Sequence, residues 1–533
     1  MLGLMMDQPL LVSSTIEFAA RFHASQEIVA RTVEGPIVRS SWGEIARRAR
    51  KLANALARLG VERGTRVATL AWNTHRHLEL YFAVSGMGAV LHTINPRLSP
   101  EQLRYVVDHA EDQVLFFDTT FLKLAQLLGN QATPLRQYVA MTDAAHRPEG
   151  IELDFESLIA GESEQFDWPL LDERSASSIC YTSGTTGNPR GVVYSHRSTI
   201  LHSYGVAMAD SLAISAQDST LPVVPMFHVN AWGVPYAAAM VGSKLVLPGP
   251  GLDGKSLTEL IEDEKVTSLL GVPTVWMNLL GHLRSVGKEL GTVKKVVIGG
   301  SACPPSMIQA FEAQGVRVIH AWGMTEMSPL GTANVLLPKH RELAPEAQLA
   351  VKAKQGRPIF GVDLRLVDDA GKVLPHDGQT SGHLQVRGPW VASAYFKRDV
   401  QDAHADGWFA TGDIATLDDD GYMQITDRSK DVIKSGGEWV SSIDLENAAM
   451  SHPAVAQAAA IGVPHTKWQE RPLLIVVRAP GKELAAAELL AFLETKVVKW
   501  WLPDAIEFVD ALPIGPTGKV LKRELRARYG GNQ

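Results

Sequence analysis

The densest chemistry in this chain lies at residues 181–191, Tyr-Thr-Ser-Gly-Thr-Thr-Gly-Asn-Pro-Arg-Gly. Gly184, Gly187 and Gly191 let the backbone turn tightly and expose N–H groups, and Thr182, Ser183, Thr185 and Thr186 offer hydroxyls to phosphate oxygens. Arg190 adds a fixed positive charge suited to a departing pyrophosphate. Composition alone would make this a surface loop, but the order of the residues is that of a phosphate loop.

A second stretch, Gly249-Pro250-Gly251-Leu252-Asp253-Gly254-Lys255-Ser256, satisfies both GxxxxGK[ST] and GxGxxG. It even sits between a strand-like run, Lys244–Leu247, and a helical pattern at 257–265. On that evidence a P-loop ATPase using Lys255 is the competing class of function. No strand ending in a Walker B aspartate accompanies it, and no acidic residue closes a second strand at the dinucleotide spacing. Pro250 also removes one N–H from the cradle. A strand-to-helix turn is the expected role.

The elements that must carry these loops alternate. Residues 42–59 put Ile45, Ala49, Leu52, Ala53, Leu56 and Leu59 on one helical face, with Gly60 as the stop. Strand-like runs follow at 66–71, 113–117, 244–247, 268–272 and 295–298, so a large α/β body with mostly parallel strands is predicted. After about residue 360, Asp368-Asp369-Ala370-Gly371, Asp377-Gly378 and Asp418-Asp419-Asp420-Gly421 read as turns in a β-rich region. Beyond 428–431 strand and helix alternate again, including a helix at 485–501 ended by Pro503. The expected division is a large N-terminal domain over 1–429 and a small, mobile α+β domain over 430–533.

With 533 residues, several domains are expected. A formal net charge of −7 argues against a nucleic-acid partner. Cys180 and Cys303 are too few for a disulfide framework and fit a reducing cytoplasm. The start, Met-Leu-Gly-Leu-Met-Met-Asp, has neither the basic region nor the apolar run of a signal peptide. The charge-free stretch 219–243 holds Pro222, Pro225, His228, Asn230 and Pro235, which suit a buried pocket wall better than a membrane span. No integral membrane segment is expected.

The 181–191 loop resembles the phosphate loop of the adenylate-forming superfamily, which includes acyl-CoA synthetases, peptide-synthetase adenylation domains and luciferases. Further motifs of that family follow in order: Gly299-Gly300-Ser301-Ala302, His320-Ala321-Trp322-Gly323-Met324-Thr325-Glu326 and Trp408-Phe409-Ala410-Thr411-Gly412-Asp413. Asp427-Arg428-Ser429-Lys430-Asp431-Val432-Ile433-Lys434-Ser435-Gly436-Gly437-Glu438 and Pro516-Thr517-Gly518-Lys519 complete the series, and agreement runs from about residue 40 to 523. The resemblance implies ATP, Mg²⁺ and coenzyme A as co-substrates and cofactor. By it, Thr182 and Glu326 supply hard oxygens for Mg²⁺, Gly300, His320 and Ala321 line the adenine site, and Thr325 meets the α-phosphate. Asp413 takes the ribose hydroxyls with Arg428 nearby, and Lys519 meets the charge developing at the α-phosphate. Lys430 is the hinge, Lys434 a second lysine used after the small domain rotates, and Gly437 and Trp439 shape the pantetheine tunnel. The basic residues Lys522, Arg523, Arg526 and Arg528 read as a solvated helix face. One departure is visible: the family's loop usually carries Lys where this chain has Arg190.

No carrier domain is expected, which disfavours a peptide synthetase, and nothing speaks for a luciferase oxidation pocket. Val224-Pro225-Met226-Phe227-His228-Val229-Asn230-Ala231-Trp232-Gly233 resembles the segment of fatty acyl-CoA synthetases and methylmercaptopropionate-CoA ligases. Trp232 would gate an apolar acyl tunnel beside His228, with Trp322, Gly323 and Met324 lining the same pocket. The segments 465–472 and 499–504 point to the same subgroup. The expected activity is an AMP-forming acyl-CoA synthetase for an apolar carboxylic acid: a fatty acid of short, medium or long chain, or 3-methylmercaptopropionate. Aryl acids stay open as an alternative. A homodimer is the expected assembly.

Overall fold

The computed structural model describes residues 1, 3–129, 133–182, 188–398, 404–435, 438–515 and 520–530, without the side chains of 404, 405, 438 and 439. Two large sheets dominate. One has seven strands in the order Leu153–Asp154, Gln137–Ala140, Val114–Phe117, Arg66–Leu70, Val90–Thr93, Ala176–Tyr181, Gly191–Ser195. Its neighbours run parallel except the last pair, an antiparallel hairpin in which Tyr181 faces Gly191. The other has nine strands, with a parallel centre from Glu27–Arg31 through Lys244–Leu247, Ser219–Pro222, Ser268–Gly271 and Lys295–Ile298 to Arg317–Gly323. Antiparallel strands close both of its edges.

The central strands are buried along their length, which explains their Val/Leu/Ile runs. The helix Trp42–Arg58 buries Ile45, Ala49, Leu52, Ala53 and Leu56. Ser41 caps it by accepting from the Glu44 N–H, and Gly60 turns the chain away at φ 80°. Residues 219–243 are largely buried between these elements, as a pocket wall requires. Among the described residues no helix is long and apolar enough to cross a membrane.

A third sheet is built on Asp363–Val367, Gly382–Arg387, Trp408–Leu417 and Met423–Arg428, all antiparallel. Its turns work as their sequences suggest: Asp368 and Asp418 each accept from N–H groups two and four residues on. A fourth sheet joins Ile433–Ser435, Val455–His465, Gln469–Arg478 and Ala505–Phe508 over a separate apolar core. The expected helix at 485–501 is two pieces, Ala486–Glu494 and a 3-10 turn at Lys499–Trp501. The Lys496 and Val497 N–H groups both turn back to Leu493, and Val498 is extended at φ −64°, ψ 143°. The β-branched pair Val497-Val498 follows a frayed last turn and resists helix there.

Candidate active site

His320, Ala321, Trp322 and Gly323 lie on the strand Arg317–Gly323, and many of the other expected site residues lie on the loops that follow the parallel strands ending at Pro222, Ile298, Tyr181 and Gly323. That is where open α/β sheets place their ligands.

The phosphate-loop hairpin is closed at its neck. The Thr182 N–H donates to the Arg190 carbonyl at 2.9 Å, and the Arg190 N–H donates to Thr182 Oγ1 at 3.1 Å. Ser183, Gly184, Thr185, Thr186 and Gly187 lie outside the described residues. Arg190 stacks over the Tyr395 ring, 5.0 Å from its centroid. A guanidinium suits such stacking better than an ammonium, so Arg at this position has a partner that Lys would use less well. Tyr395 Oη in turn donates to Glu326 Oε1 at 2.6 Å. Phe396 N–H bonds Gly191 O at 2.8 Å and Ala392 N–H bonds Glu326 O at 2.7 Å, so the segment 392–396 straps the hairpin to the glutamate. Tyr194 Oη holds the Thr325 carbonyl at 2.6 Å. Burial pushes the Glu326 carboxyl above its ordinary range, opposed by the Tyr395 hydroxyl and by Arg428 and Arg190. Tyr395 was not legible beforehand, since a lone tyrosine in a loop carries no signal by type or spacing.

His320 pairs with Ile298 across parallel strands, which brings it and Ala321 beside Gly299-Gly300. Its Nδ1 meets the Ala353 carbonyl at 3.0 Å, and its buried Nε2 has no hydrogen-bond partner among the described residues. Burial lowers this imidazole to about 4, so it is neutral. A neutral ring with one open nitrogen fits an adenine edge. Asp413 and Arg428 face each other across two strands and pair at 2.9 Å.

On the acid side, residues 229–233 form a left-handed turn that places Trp232 against Gly299. A Cβ on Gly299 would stand 3.1 Å from the Trp232 ring and 3.1 Å from the Ala321 carbonyl, so the missing side chain is what admits the indole. His228 opens that turn, its carbonyl accepting from the Ala231 N–H at 3.2 Å. Trp322 is buried on the same strand as Ala321. Gly323 is obligatory, because a Cβ there would lie 1.9 Å from the Pro329 carbonyl. That crossing lets the Met324 N–H bond Pro329 O at 3.0 Å.

The C-terminal candidates are not gathered here. Lys434 stands exposed on Ile433–Ser435, its N–H on Glu470 at 2.9 Å and its charge felt by Asp369. Trp439 pairs with it in register. Gly437 and Lys519 lie outside the described residues. Lys430 is exposed, although partial desolvation by its neighbours lowers its ammonium. The tail corrects the expectation of a solvated face. Lys522 reaches inward to Glu446 at 2.7 Å and to Ser442, and Arg526 pairs with Asp431, while Arg523 and Arg528 stay exposed. Buried acceptors, invisible in a local charge count, capture the inner half of that helix.

The Walker-like stretch is a turn, which overturns the ATPase alternative. Asp253 caps the helix Gly254–Asp263 by accepting from the Ser256 N–H at 3.0 Å, so a carboxylate already fills the place an anion would take. Lys255 points to solvent.

The AMP-binding enzyme family model matches residues 17–396, and its C-terminal domain model matches 444–519. The chain is 56% identical to the 3-methylmercaptopropionyl-CoA ligase of Ruegeria lacuscaerulensis, covering 99% of each. It is 52% identical to the medium-chain-fatty-acid–CoA ligase of Ectopseudomonas oleovorans over 99% of this chain and 98% of that one. The crystal structure of an anthranilate CoA ligase, AuaEII, bound to anthranoyl-AMP superposes with TM-score 0.87 at 26% identity, covering 98% of each chain. These matches show that the chain belongs to the AMP-binding enzymes and is an AMP-forming ligase of the acyl-CoA synthetase type, using ATP and coenzyme A.

Proposed function

We propose that the acid is a short- to medium-chain apolar carboxylic acid, 3-methylmercaptopropionate or a fatty acid. The observation that carries this is Trp232: its indole occupies the space left by Gly299, close to the Ala321 carbonyl. A flat apolar wall at that place favours an uncharged tail and shortens the pocket. The acid attacks the α-phosphorus of ATP, giving acyl-AMP and pyrophosphate. The thiol of coenzyme A then displaces AMP and forms the thioester.

Arg190 holds the departing pyrophosphate, Thr325 the α-phosphate and Asp413 the ribose, and the neutral His320 lies at the adenine edge. Among the described residues no cluster of three or more His, Cys, Asp or Glu side chains could cage a metal. The single buried carboxylate of Glu326, with the Thr182 hydroxyl, fits instead a Mg²⁺ carried mainly by phosphates and water. When bound, that ion neutralises charge on the phosphates. Tyr395 Oη, donating to Glu326 Oε1, fixes the carboxylate that would hold the ion.

The small domain, 430–533, turns about Lys430 between the two half-reactions. Lys519 serves the first. Lys434, Gly437 and Trp439 serve the second. A cytoplasmic homodimer completes the reading, checked by fractionation and light scattering. The central experiment is pyrophosphate release across a panel of straight-chain, thioether and aryl acids, with and without coenzyme A. Preference for aryl acids would overturn the substrate assignment.

A further inference from the structure

Val229, Asn230, Ala231, Trp232 and Gly233 follow one another at φ 48°, 49°, 47°, 58° and 74°. For a residue with a side chain the left-handed region costs roughly 1–2 kcal/mol. Four such residues in succession persist only where neighbours over-determine them, and strain of this kind gathers at functional sites. One buried amide ties this turn to a neighbouring strand. Asn230 Nδ2 donates to Ser178 Oγ at 2.9 Å. Its Oδ1 accepts from the Cys180 thiol at 3.4 Å, and Thr93 Oγ1 meets that sulfur at 3.3 Å. Burial pushes the Cys180 thiol up to about 11, so it remains an S–H donor. The Tyr81 hydroxyl lies 3.4 Å from the same Oδ1 and bonds the Met226 carbonyl.

Ser178 and Cys180 belong to the strand Ala176–Tyr181, whose next residue is Thr182. The Asn230 side chain therefore bolts the acid-side turn to the strand that begins the phosphate loop. Asn73 fastens the chain just upstream, accepting from the Met226 N–H at 2.6 Å and donating to the Pro222 and Val224 carbonyls at 2.9 and 2.8 Å. Asn73 stops short of His228, whereas Asn230 grips the turn itself.

We propose that Asn230 is a positioning residue for the acid: its amide fixes the turn bearing Trp232 and His228 in register with the phosphate loop, so that the carboxylate meets the α-phosphorus. The inference rests on the reading that Trp232 and His228 face the acid. Asn230→Gly separates the amide from the backbone, because glycine adopts the left-handed region without cost but makes none of the bonds.

Full-length wild type, Asn230→Gly and Ser178→Ala are compared by urea unfolding and by carboxylate-dependent pyrophosphate release on straight-chain acids of increasing length. Asn230→Gly is expected to unfold at a lower urea midpoint while staying folded without urea, raise KM for the acid roughly tenfold, hold KM for ATP within about twofold and shift the preferred chain length. Ser178→Ala is expected to move the acid KM in the same direction by less. A wild-type acid KM and profile in folded Asn230→Gly would show that only the backbone conformation matters and would overturn the proposal. So would an equal rise in both KM values. Where Asn230→Gly does not fold, Ser178→Ala decides, and an unchanged acid KM sinks the idea. Wild type without any carboxylate-dependent pyrophosphate would instead refute the functional reading, an outcome no variant can mimic.

Discussion

The strands Ala176–Tyr181 and Gly191–Ser195 form a hairpin whose neck is closed by the Thr182 N–H on the Arg190 carbonyl and the Arg190 N–H on Thr182 Oγ1; the Arg190 cation is turned onto Tyr395, whose hydroxyl bonds Glu326. Between Gly249 and Ser256 an equally glycine-rich loop is spoken for. The N–H groups of Gly249, Gly251 and Leu252 bond Asn73, Pro248 and Pro250 carbonyls, and that of Ser256 bonds the Asp253 carboxylate. Its glycines serve packing, since a Cβ on Gly249 would meet the Arg31 carbonyl at 2.3 Å and one on Gly254 the His282 Cβ at 2.5 Å. Glycine content measures how closely a backbone can be approached. Which atom approaches it, a phosphate or a neighbouring strand, is decided elsewhere in the chain.

The largest contrast expected is between two lysines that each follow a glycine, Lys519 and Lys255. Lys519→Ala should lower acyl-AMP formation by on the order of 10²–10³-fold while supplied acyl-AMP is still converted to acyl-CoA. Gly437→Leu should do the reverse, sparing acyl-AMP formation and slowing thioester formation. Lys255→Ala should leave both steps within about twofold. Each half-reaction is assayed alone. Carboxylate-independent ADP formation that disappears in Lys255→Ala would invert the comparison, and equal slowing of both steps by Lys519→Ala would end the two-state reading.

Arg190→Ala comes next, at roughly a hundredfold loss in kcat/KM for ATP, because it removes charge that the pyrophosphate needs as it leaves. Arg190→Lys keeps the charge and loses the stacked fork on Tyr395, so a loss of only a few-fold is expected. If Arg190→Ala is harmless, the hairpin is no better a phosphate site than its rival.

Much of this was legible before any coordinates. Strand runs, the helix over 42–59 stopped by Gly60 and the Asp-Gly turns are local matters of periodicity and turn chemistry, and the runs at 244–247 and 295–298 match their strands end to end. The order of the nucleotide motifs identified the family. What sequence could not show depends on groups far apart in the chain. Tyr395 reaches Glu326 from 69 residues away. Lys522 finds Glu446 and leaves the solvated face it was expected to occupy. The left-handed turn at 229–233 contradicts the preferences of Val, Ala and Trp, and Asn230 ties it to a strand about 50 residues earlier in the chain.

Tyr395 gives the next smaller effect. Tyr395→Phe retains the ring under Arg190 but deletes the hydroxyl that orients Glu326. About a tenfold loss in kcat/KM for ATP is expected, with the acid KM unmoved. A loss matching that of Arg190→Ala would mean that the hydroxyl's hold on Glu326 matters as much as the cation, and no loss at all would leave the ring under Arg190 as the whole of Tyr395's role.

The smallest effect belongs to the rival loop, and it tests whether that loop hides an anion site. Asp253→Ala removes the cap of the helix Gly254–Asp263 and should cost about 1 kcal/mol of stability with no loss of turnover. The Ser256 N–H holds the Asp253 carboxyl below its ordinary value of 3.8. A lowered acid stabilises the fold in full above that value and loses its contribution only as the pH falls through the folded one. The difference between variant and wild type, read by urea unfolding, should therefore be the same at pH 7 and pH 5. Inorganic phosphate is then added against a chloride control of equal ionic strength. The substitution frees the Ser256 N–H while Gly249, Gly251 and Leu252 keep their carbonyl partners, so phosphate should protect the variant no more than chloride does. Specific protection by phosphate would show that Asp253 had been occupying a working cradle, and the two loops would differ by one carboxylate rather than by the wiring of their backbones.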